Sequence, residues 1–447
     1  MPNQTIYALS TVYGKSGVAV VRVSGENALD AVREMTALNV QTINPRHTYF
    51  CTLVDVKTKE MLDKALVIYF KAPSSFTGED TVEIHCHGSK AVLSSVLENL
   101  SKLKNFRIAE PGEFSKRAFY NKKMDLTEAE GLADLIDAET SAQQKQALRQ
   151  MSGALRKLYE NWREQLLKVY AYMEAYIDFP EEDIDPKIVQ ECEKTVENLV
   201  REIENHLSAS QNGERLREGF RVVLAGPTNA GKSSLLNAIV SRQAAIVSDM
   251  AGTTRDALDV HLDVGGYPVI LTDTAGLRQS DDTIEKQGIE IAKKKAEDAD
   301  LILGVFDGAS CSKDVFENML DAFKNKMIFV AEKADILSEQ QKDDLKKQGC
   351  IVVSAKTKEG FGQLFEQIQT RIGAGISSGS SEIITRVRYR EALKECAENL
   401  QSFGFDKPIE LAGEDIRLAA RALGKITGQI EVGEILDKIF GSFCIGK

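Results

Sequence analysis

The sequence predicts a chain of several domains, α+β and α/β in class. An N-terminal α+β segment comes first, a helical part is contributed by two separated stretches, and an α/β domain built to hold phosphates is inserted between them. Three observations predict this. The eight residues Gly226-Pro227-Thr228-Asn229-Ala230-Gly231-Lys232-Ser233 lie between an apolar, β-branched run (Phe220 to Ala225) and a helix-patterned stretch (Ser234 to Val240). Amphipathic helical patterns begin near Met124 and resume after the Gly/Ser-rich run from Gly373 to Ser381. A length of 447 residues also exceeds what one hydrophobic core ordinarily serves. The expected boundaries are 1–118 for the first domain, 119–215 and 379–447 for the helical one, and 216–378 for the inserted one.

Composition narrows the class. With 43% hydrophobic and 28% charged residues the chain reads as soluble and globular. No apolar run approaches the ~18 residues of a membrane span, and the basic-then-apolar layout of a signal peptide is missing, so a cytoplasmic protein with no membrane partner is expected. Seven cysteines at scattered positions, none in C-x-x-C spacing, fit a reducing compartment without a disulfide framework or zinc site. A net charge of −11 argues against a global nucleic-acid footprint. Two local basic runs stand as candidate patches, against the plain alternative of solvated faces: Lys102, Lys104, Arg107, Lys116, Arg117, Lys122 and Lys123, then Arg386, Arg388, Arg390 and Lys394.

In the first domain Val18–Val23 and Ala65–Phe70 read as mostly buried strands, and Arg22 inside the first needs an anionic partner or a wet edge. Thr81 to His87 alternates, with Val82, Ile84 and Cys86 facing one way and Thr81, Glu83, His85 and His87 the other. His85 and His87 share a face, yet no third metal ligand is evident. Further on, Thr127-Glu128-Ala129-Glu130 reads as a capping box for a helix carrying Leu132, Leu135 and Ile136 on one side. A long helix through Leu155, Leu158, Trp162, Leu166 and Val169 should break at Asp178-Phe179-Pro180, and another should run from Pro186 to Ser208. Gln211-Asn212-Gly213 should close the helical region, and residues 382–447 should pack back onto helices 124–210.

The phosphate loop has the G-x-x-x-x-G-K-[ST] pattern in a strand–loop–helix setting. Its backbone N–H groups, among them those of Asn229, Ala230, Gly231 and Ser234, can wrap phosphates, Lys232 can reach the outer ones, and Ser233 can ligate Mg²⁺. A loop, Ser248-Asp249-Met250-Ala251-Gly252-Thr253-Thr254, follows, from which Thr254 can supply a second hydroxyl to Mg²⁺. Leu258–Val264 and Tyr267–Thr272 form a hairpin through Gly265-Gly266. It delivers Asp273-Thr274-Ala275-Gly276, with Asp273 holding Mg²⁺ through water and the Gly276 N–H sensing the γ-phosphate. Glu332-Lys333-Ala334-Asp335 and Ser354-Ala355-Lys356 end the next two strands. Asp335 can accept both hydrogens of the guanine N1 and 2-amino edge, Lys333 can cover the ring, and the Ala355 N–H can meet the base carbonyl. GTP is therefore the expected nucleotide rather than ATP. Glu332 stands where such motifs carry Asn, and a carboxylate cannot donate to N7, so weaker binding is expected. Leu277 stands where a water-orienting Gln is usual, so the group that positions water must lie elsewhere, with Asp281, Asp282, Glu285 and Glu290 the nearby carboxylates, or come from a partner.

Taken together these stretches resemble the MnmE (TrmE) family of tRNA modification GTPases. Further pieces of the likeness are Ser75-Phe76-Thr77-Gly78-Glu79-Asp80, Pro111-Gly112-Glu113-Phe114-Ser115, Ala251-Gly252-Thr253-Thr254-Arg255-Asp256 and the terminal Phe443-Cys444-Ile445-Gly446-Lys447. The resemblance implies a folate-binding-like N-terminal domain that dimerises, a discontinuous helical domain and an inserted Ras-like P-loop G domain. It implies folate contacts at Arg22, Glu83, Lys123 and Lys447, and K⁺ ligands at Asn229, Ser248, Met250 and Thr253. It implies Glu285 as the acid that orients water. Partners implied are a second copy of the chain, an FAD-dependent MnmG-like protein and tRNA. The implied chemistry adds an aminomethyl or carboxymethylaminomethyl group to C5 of the wobble uridine, using a 5-formyl- or methylene-tetrahydrofolate. The alternative reading is a regulatory GTPase switch in ribosome or RNA assembly. Cys444 invites a nucleophile reading, but no His or Asp spacing marks an activating base, and a structural thiol is the reading adopted.

Overall fold

The computed structural model describes residues 4–178, 185–209, 212–227, 229–242, 259–273, 297–310, 325–373, 383–429 and 433–446. The chain divides into two compact units, residues 1–133 with 421–447, and residues 134–420.

The first unit is built on a six-stranded sheet: β1 (Thr5–Leu9), β2 (Ser16–Ser24), β3 (Thr48–Val54), β4 (Met61–Phe70), β5 (Thr81–Gly88) and β6 (Phe106–Ile108) in the order β3-β4-β5-β2-β1-β6. Val82, Ile84 and Cys86 are buried with Val21, Val23 and Val67 beneath helices Ala28–Met35 and Lys90–Ser101, as the alternation predicts. Thr81 departs from it: its hydroxyl is buried, bonded to the Glu79 carbonyl at 3.2 Å. Leu436, Phe440 and Phe443, from the end of the chain, pack on Leu126 and Ala129 in this unit. Leu126 and Ala129 belong to the first helix after Met124, so the end of the chain packs back onto the 124–210 region as expected.

The helix after Met124 spans Leu126–Ile136, and its capping box is Asp125 with Glu128, not Thr127 with Glu130. Asp125 accepts from the Glu128 N–H at 2.8 Å, and Glu128 accepts from the Asp125 N–H at 2.7 Å. The buried face accordingly falls on Leu126, Ala129 and Glu130, while Leu132 and Leu135 are half-buried and Ile136 is exposed.

In the second unit the helix Ala154–Asp178 buries Leu155, Tyr159, Trp162, Leu166, Val169 and Met173, the spacing of one helical face. The Pro186–Ala209 helix runs beside it, with Trp162 Nε1 donating to Glu202 at 2.7 Å and Tyr159 Oη 3.1 Å from His206. Helix Val387–Ser402 joins them through Gln401, which donates to Glu204 at 2.8 Å. A short helix, Gly213–Glu218, stands where the helical region was expected to close.

The same unit contains a second six-stranded sheet, β7 (Phe220–Ala225), β8 (Asp259–Val264), β9 (Tyr267–Asp273), β10 (Leu301–Asp307), β11 (Met327–Glu332) and β12 (Ile351–Val352), ordered β12-β11-β10-β7-β9-β8. All neighbours are parallel except the β8–β9 hairpin, whose Gly265 and Gly266 take φ of 62° and 91° as a two-residue turn requires. Strand order reverses at β7, so the crevice beyond the carboxyl ends of β7, β9 and β10 is the natural ligand site. Among the described residues no helix is long and apolar enough to cross a membrane.

Candidate functional site

The phosphate loop leaves β7 at Gly226, whose φ of 154° and closeness to β10 both exclude a side chain: a Cβ would lie 2.0 Å from the Val305 carbonyl oxygen. Asn229 and Gly231 follow with φ of 62° and 95°, and helix Lys232–Arg242 begins. Left-handed residues alternating with ordinary ones turn successive N–H groups toward one concavity, an anion nest capped by a helix N-terminus. Lys232 Nζ is held by the Gly226 and Pro227 carbonyls at 2.8 Å each. Ser233 Oγ donates to Asp273 Oδ2 at 2.9 Å, and the Asp273 side chain is buried at the end of β9. A hydroxyl and a carboxylate so placed are the hard oxygen donors that Mg²⁺ takes, so these residues fit the ion.

The other end of the same cavity, about 930 Å³ in volume, is lined by Glu332, Lys333, Asp335, Ala355 and Lys356. Asp335 is fixed by the Ser354 hydroxyl at 2.8 Å and by Lys356 at 3.8 Å. The Ser354 hydrogen bond, with the two lysines, holds its carboxyl below the usual carboxylate range and keeps it an acceptor. Lys333, in the left-handed conformation, donates to Asp307 Oδ2 at 2.6 Å, which raises its pKa. Asp307, at the end of β10, went unnoticed in the sequence; its signal was an acid closing an apolar strand two strands from Asp273. Glu332 is buried, its Oε1 accepting the Ala355 N–H at 2.9 Å.

The structure thus brings together Asn229, Ala230, Gly231, Lys232, Ser233, Ser234 and Asp273 at one end of the crevice and Lys333, Asp335, Ser354, Ala355 and Lys356 at the other. Ser248, Asp249, Met250, Ala251, Gly252, Thr253, Thr254, Thr274, Ala275, Gly276 and Glu285 lie outside the described residues. Lys447 does too, but Gly446 is bonded to Ser10 Oγ at 3.0 Å beside the end of β1.

In the first unit Arg22 and Glu83 face each other across the β2–β5 register at 3.0 Å, and the Arg22 guanidinium stacks over Phe76 and Phe114, 5.2 and 5.7 Å from their ring centres. Lys123 donates to the Pro73 carbonyl at 3.0 Å. His87 bonds Asp63 at 2.8 Å and His85 lies 3.4 Å from Glu83; among the described residues no three ligands gather for a metal. The basic runs are largely consumed by acids: Arg107 and Arg117 by Glu113, Lys116 by Asp437, Arg386 by Asp134 and Arg390 by Glu214. Lys104, Lys122, Lys123 and Lys394 stay exposed. Cys444 is exposed.

Comparison with known proteins accords with this layout. The model of the MnmE helical domain matches residues 126–444, and that of the GTP-binding protein TrmE N-terminus matches residues 5–123. The tRNA modification GTPase MnmE of Rickettsia typhi is 44% identical over 446 residues, covering 99% of this chain and 100% of that protein. The protein of that name from Parvibaculum lavamentivorans is 47% identical over 449 residues, with 99% and 100% covered. That from a Wolbachia of Drosophila simulans is 45% identical over 458 residues, with 100% and 99% covered. Matched nearly end to end by such relatives, and carrying a phosphate loop and a guanine-type loop on one crevice, the chain belongs to the MnmE family of tRNA modification GTPases.

Proposed function

We propose that the chain hydrolyses GTP with Mg²⁺ and K⁺, and acts with an FAD-dependent MnmG-like partner on tRNA. The product is an aminomethyl or carboxymethylaminomethyl group at C5 of the wobble uridine, its one-carbon unit drawn from a tetrahydrofolate derivative. The observation that carries the nucleotide part is the pairing of two features on one crevice: Ser233 bonded to Asp273 at the phosphate end, and Asp335 fixed by Ser354 at the base end.

The division of labour follows from the donors. The N–H groups around Asn229 to Ser234 and the Lys232 ammonium neutralise the β- and γ-phosphates. Ser233, with Asp273 behind it and Thr254 from the loop at 248–254, would hold Mg²⁺, which would supply charge neutralisation at the phosphates. Asn229, Ser248, Met250 through its backbone carbonyl, and Thr253 would hold K⁺, which would supply the positive charge that an arginine finger otherwise brings. Glu285 orients the attacking water, the task that Leu277 cannot perform. Arg22, Glu83, Lys123 and Lys447 receive the folate in a homodimeric N-terminal domain.

The test is GTP turnover by the full-length protein in K⁺ and in Na⁺ buffer, with the mass measured by gel filtration. Several-fold faster turnover in K⁺ from a dimeric species is expected. Equal turnover in both buffers from a monomer overturns the K⁺ and dimer parts, and no turnover in either overturns the whole reading.

A further inference from the structure

Glu332 ends β11 with only 4% of its surface exposed, between the Ala355 amide and the phosphate loop. One oxygen accepts the Ala355 N–H at 2.9 Å. The other lies so close to the phosphate loop that a Cβ on Gly231 would stand 2.7 Å from it. The Ala355 amide is the donor that a guanine carbonyl needs, and a buried amide N–H serves one strong acceptor well. An Asn in this position is one carbon shorter and ends in an amide that can donate to N7; a carboxylate reaches further and can only accept.

We propose, on the nucleotide reading above, that Glu332 competes with the guanine carbonyl for the Ala355 N–H. The base is then read chiefly through its N1–H and 2-amino edge at Asp335, and the carbonyl contact becomes available when Glu332 is neutral.

Burial first, and then the balance of nearby charges, favours the neutral form of Glu332. Asp335 on its own loop and Asp307 from the neighbouring β10 repel a negative charge there, and Lys333, which attracts it, is bonded to Asp307 at 2.6 Å. From the phosphate loop Lys232 is held by two carbonyls, and from the loop after β12 Lys356 pairs with Asp335 while Lys358 lines the cavity. Burial, the largest influence, raises the Glu332 pKa above its ordinary value; the Ala355 hydrogen bond pulls the other way and Asp335 adds to the rise. The sign follows. As pH falls toward that raised value the carboxyl gains a proton, loosens its hold on Ala355 and offers an O–H toward N7, so binding tightens. As pH rises the ionised group reclaims the amide.

The test is titration of GDP, and of 6-thio-GDP, into full-length wild type, E332N and E332Q from pH 5, just above the ordinary glutamate range, to pH 8. The thio nucleotide keeps the N1–H and 2-amino group but carries a weak acceptor at position 6. Expected at pH 8 is GDP binding by E332N roughly tenfold tighter than wild type. A Kd that falls with pH is expected in wild type, relative to a flatter profile in both variants, since the phosphate groups titrate alike in all three. The thio penalty should be larger in E332N than in wild type. E332Q, isosteric and uncharged, should lose the pH slope while keeping part of the grip on Ala355, and it stands in if E332N does not fold. Equal affinities, equal pH profiles and equal thio penalties overturn the proposal. Binding by neither wild type nor the variants overturns the nucleotide reading and this inference with it.

Discussion

Ser233 Oγ donates to Asp273 Oδ2 at 2.9 Å, joining the first turn of the helix after the phosphate loop to the last residue of β9. The two residues are forty positions apart and meet because β7 and β9 are parallel neighbours with Leu224 opposite Asp273. A hydroxyl oriented by a buried carboxylate presents its lone pairs outward, the geometry that an Mg²⁺ ligand requires. Ser233→Ala and Asp273→Asn should each lower Mg²⁺-dependent GTP turnover by on the order of a hundredfold. GDP binding measured in EDTA should change far less; equal losses in the two assays would indicate a folding defect instead.

Asp335 is an acceptor twice over, its carboxylate held by Ser354 and facing Lys356. Replacing it by Asn turns one acceptor oxygen into a donor, which meets the 2-carbonyl of xanthine and repels the 2-amino group of guanine. D335N should therefore prefer XTP to GTP by on the order of a hundredfold in competition binding, while wild type prefers GTP.

Much of this site was legible because its motifs are local. The phosphate loop, the hairpin glycines and the acid-tipped strands each lie within a few residues, and strand, turn and helix propensities agree there. Arg22 was legible as a charge needing a partner, but the partner depended on the β2–β5 register that sets it opposite Glu83. Asp307 on Lys333 and Glu332 on Ala355 stayed hidden for the same reason, being pairs between strands made neighbours only by topology. The misplaced capping box has a different origin. Asp125-x-x-Glu128 and Thr127-x-x-Glu130 satisfy the same pattern two residues apart, and Thr127 and Glu130 prove to be buried.

Gly226 and Gly362 make a matched pair for the nucleotide unit. A Cβ on Gly226 meets the Val305 carbonyl at 2.0 Å in a backbone conformation that L side chains rarely adopt, whereas one on Gly362, inside helix Phe361–Gly373, meets nothing within 4 Å. Gly226→Ala should cost at least about 2 kcal/mol in unfolding experiments and abolish GDP binding. Gly362→Ala should stabilise by about 0.5–1 kcal/mol through helix propensity.

Glu285 is the proposed group for orienting water. Glu285→Ala should reduce K⁺-stimulated turnover by at least roughly a hundredfold while leaving GTP affinity within about twofold, because positioning a nucleophile acts on the transition state and not on ground-state binding. Single-turnover kinetics at saturating GTP separates the two. Unchanged turnover would move the role to another carboxylate of the segment after Asp273.

Glu113 links two stretches that the family likeness rests on. Its carboxylate takes Arg107 at 2.5 Å and Arg117 at 3.0 Å, and Arg117 also holds Glu79 at 2.9 Å, so Pro111–Ser115 and Ser75–Asp80 share one buried guanidinium. Burial raises the Glu113 pKa, but the hydrogen bonds from Arg107, the Glu110 N–H and Arg117 outweigh it and bring the value below the ordinary 4.5. A depressed folded-state pKa contributes stability that is present above the unfolded value and is lost as pH falls through the folded one. Glu113→Gln takes one of two carboxylates from the buried Arg117, which keeps Glu79 and the Gln4 carbonyl, and should cost about 2 kcal/mol at pH 7. The difference from wild type should shrink as the pH falls below that ordinary value, because acid neutralises the wild-type carboxyl as well. Hydrogen exchange across helix Glu113–Tyr120 in the intact protein reads this directly: faster opening in the variant at pH 7, converging with wild type in acid. A gap between the two that stays constant with pH would show that Glu113 acts through packing and not through its charge.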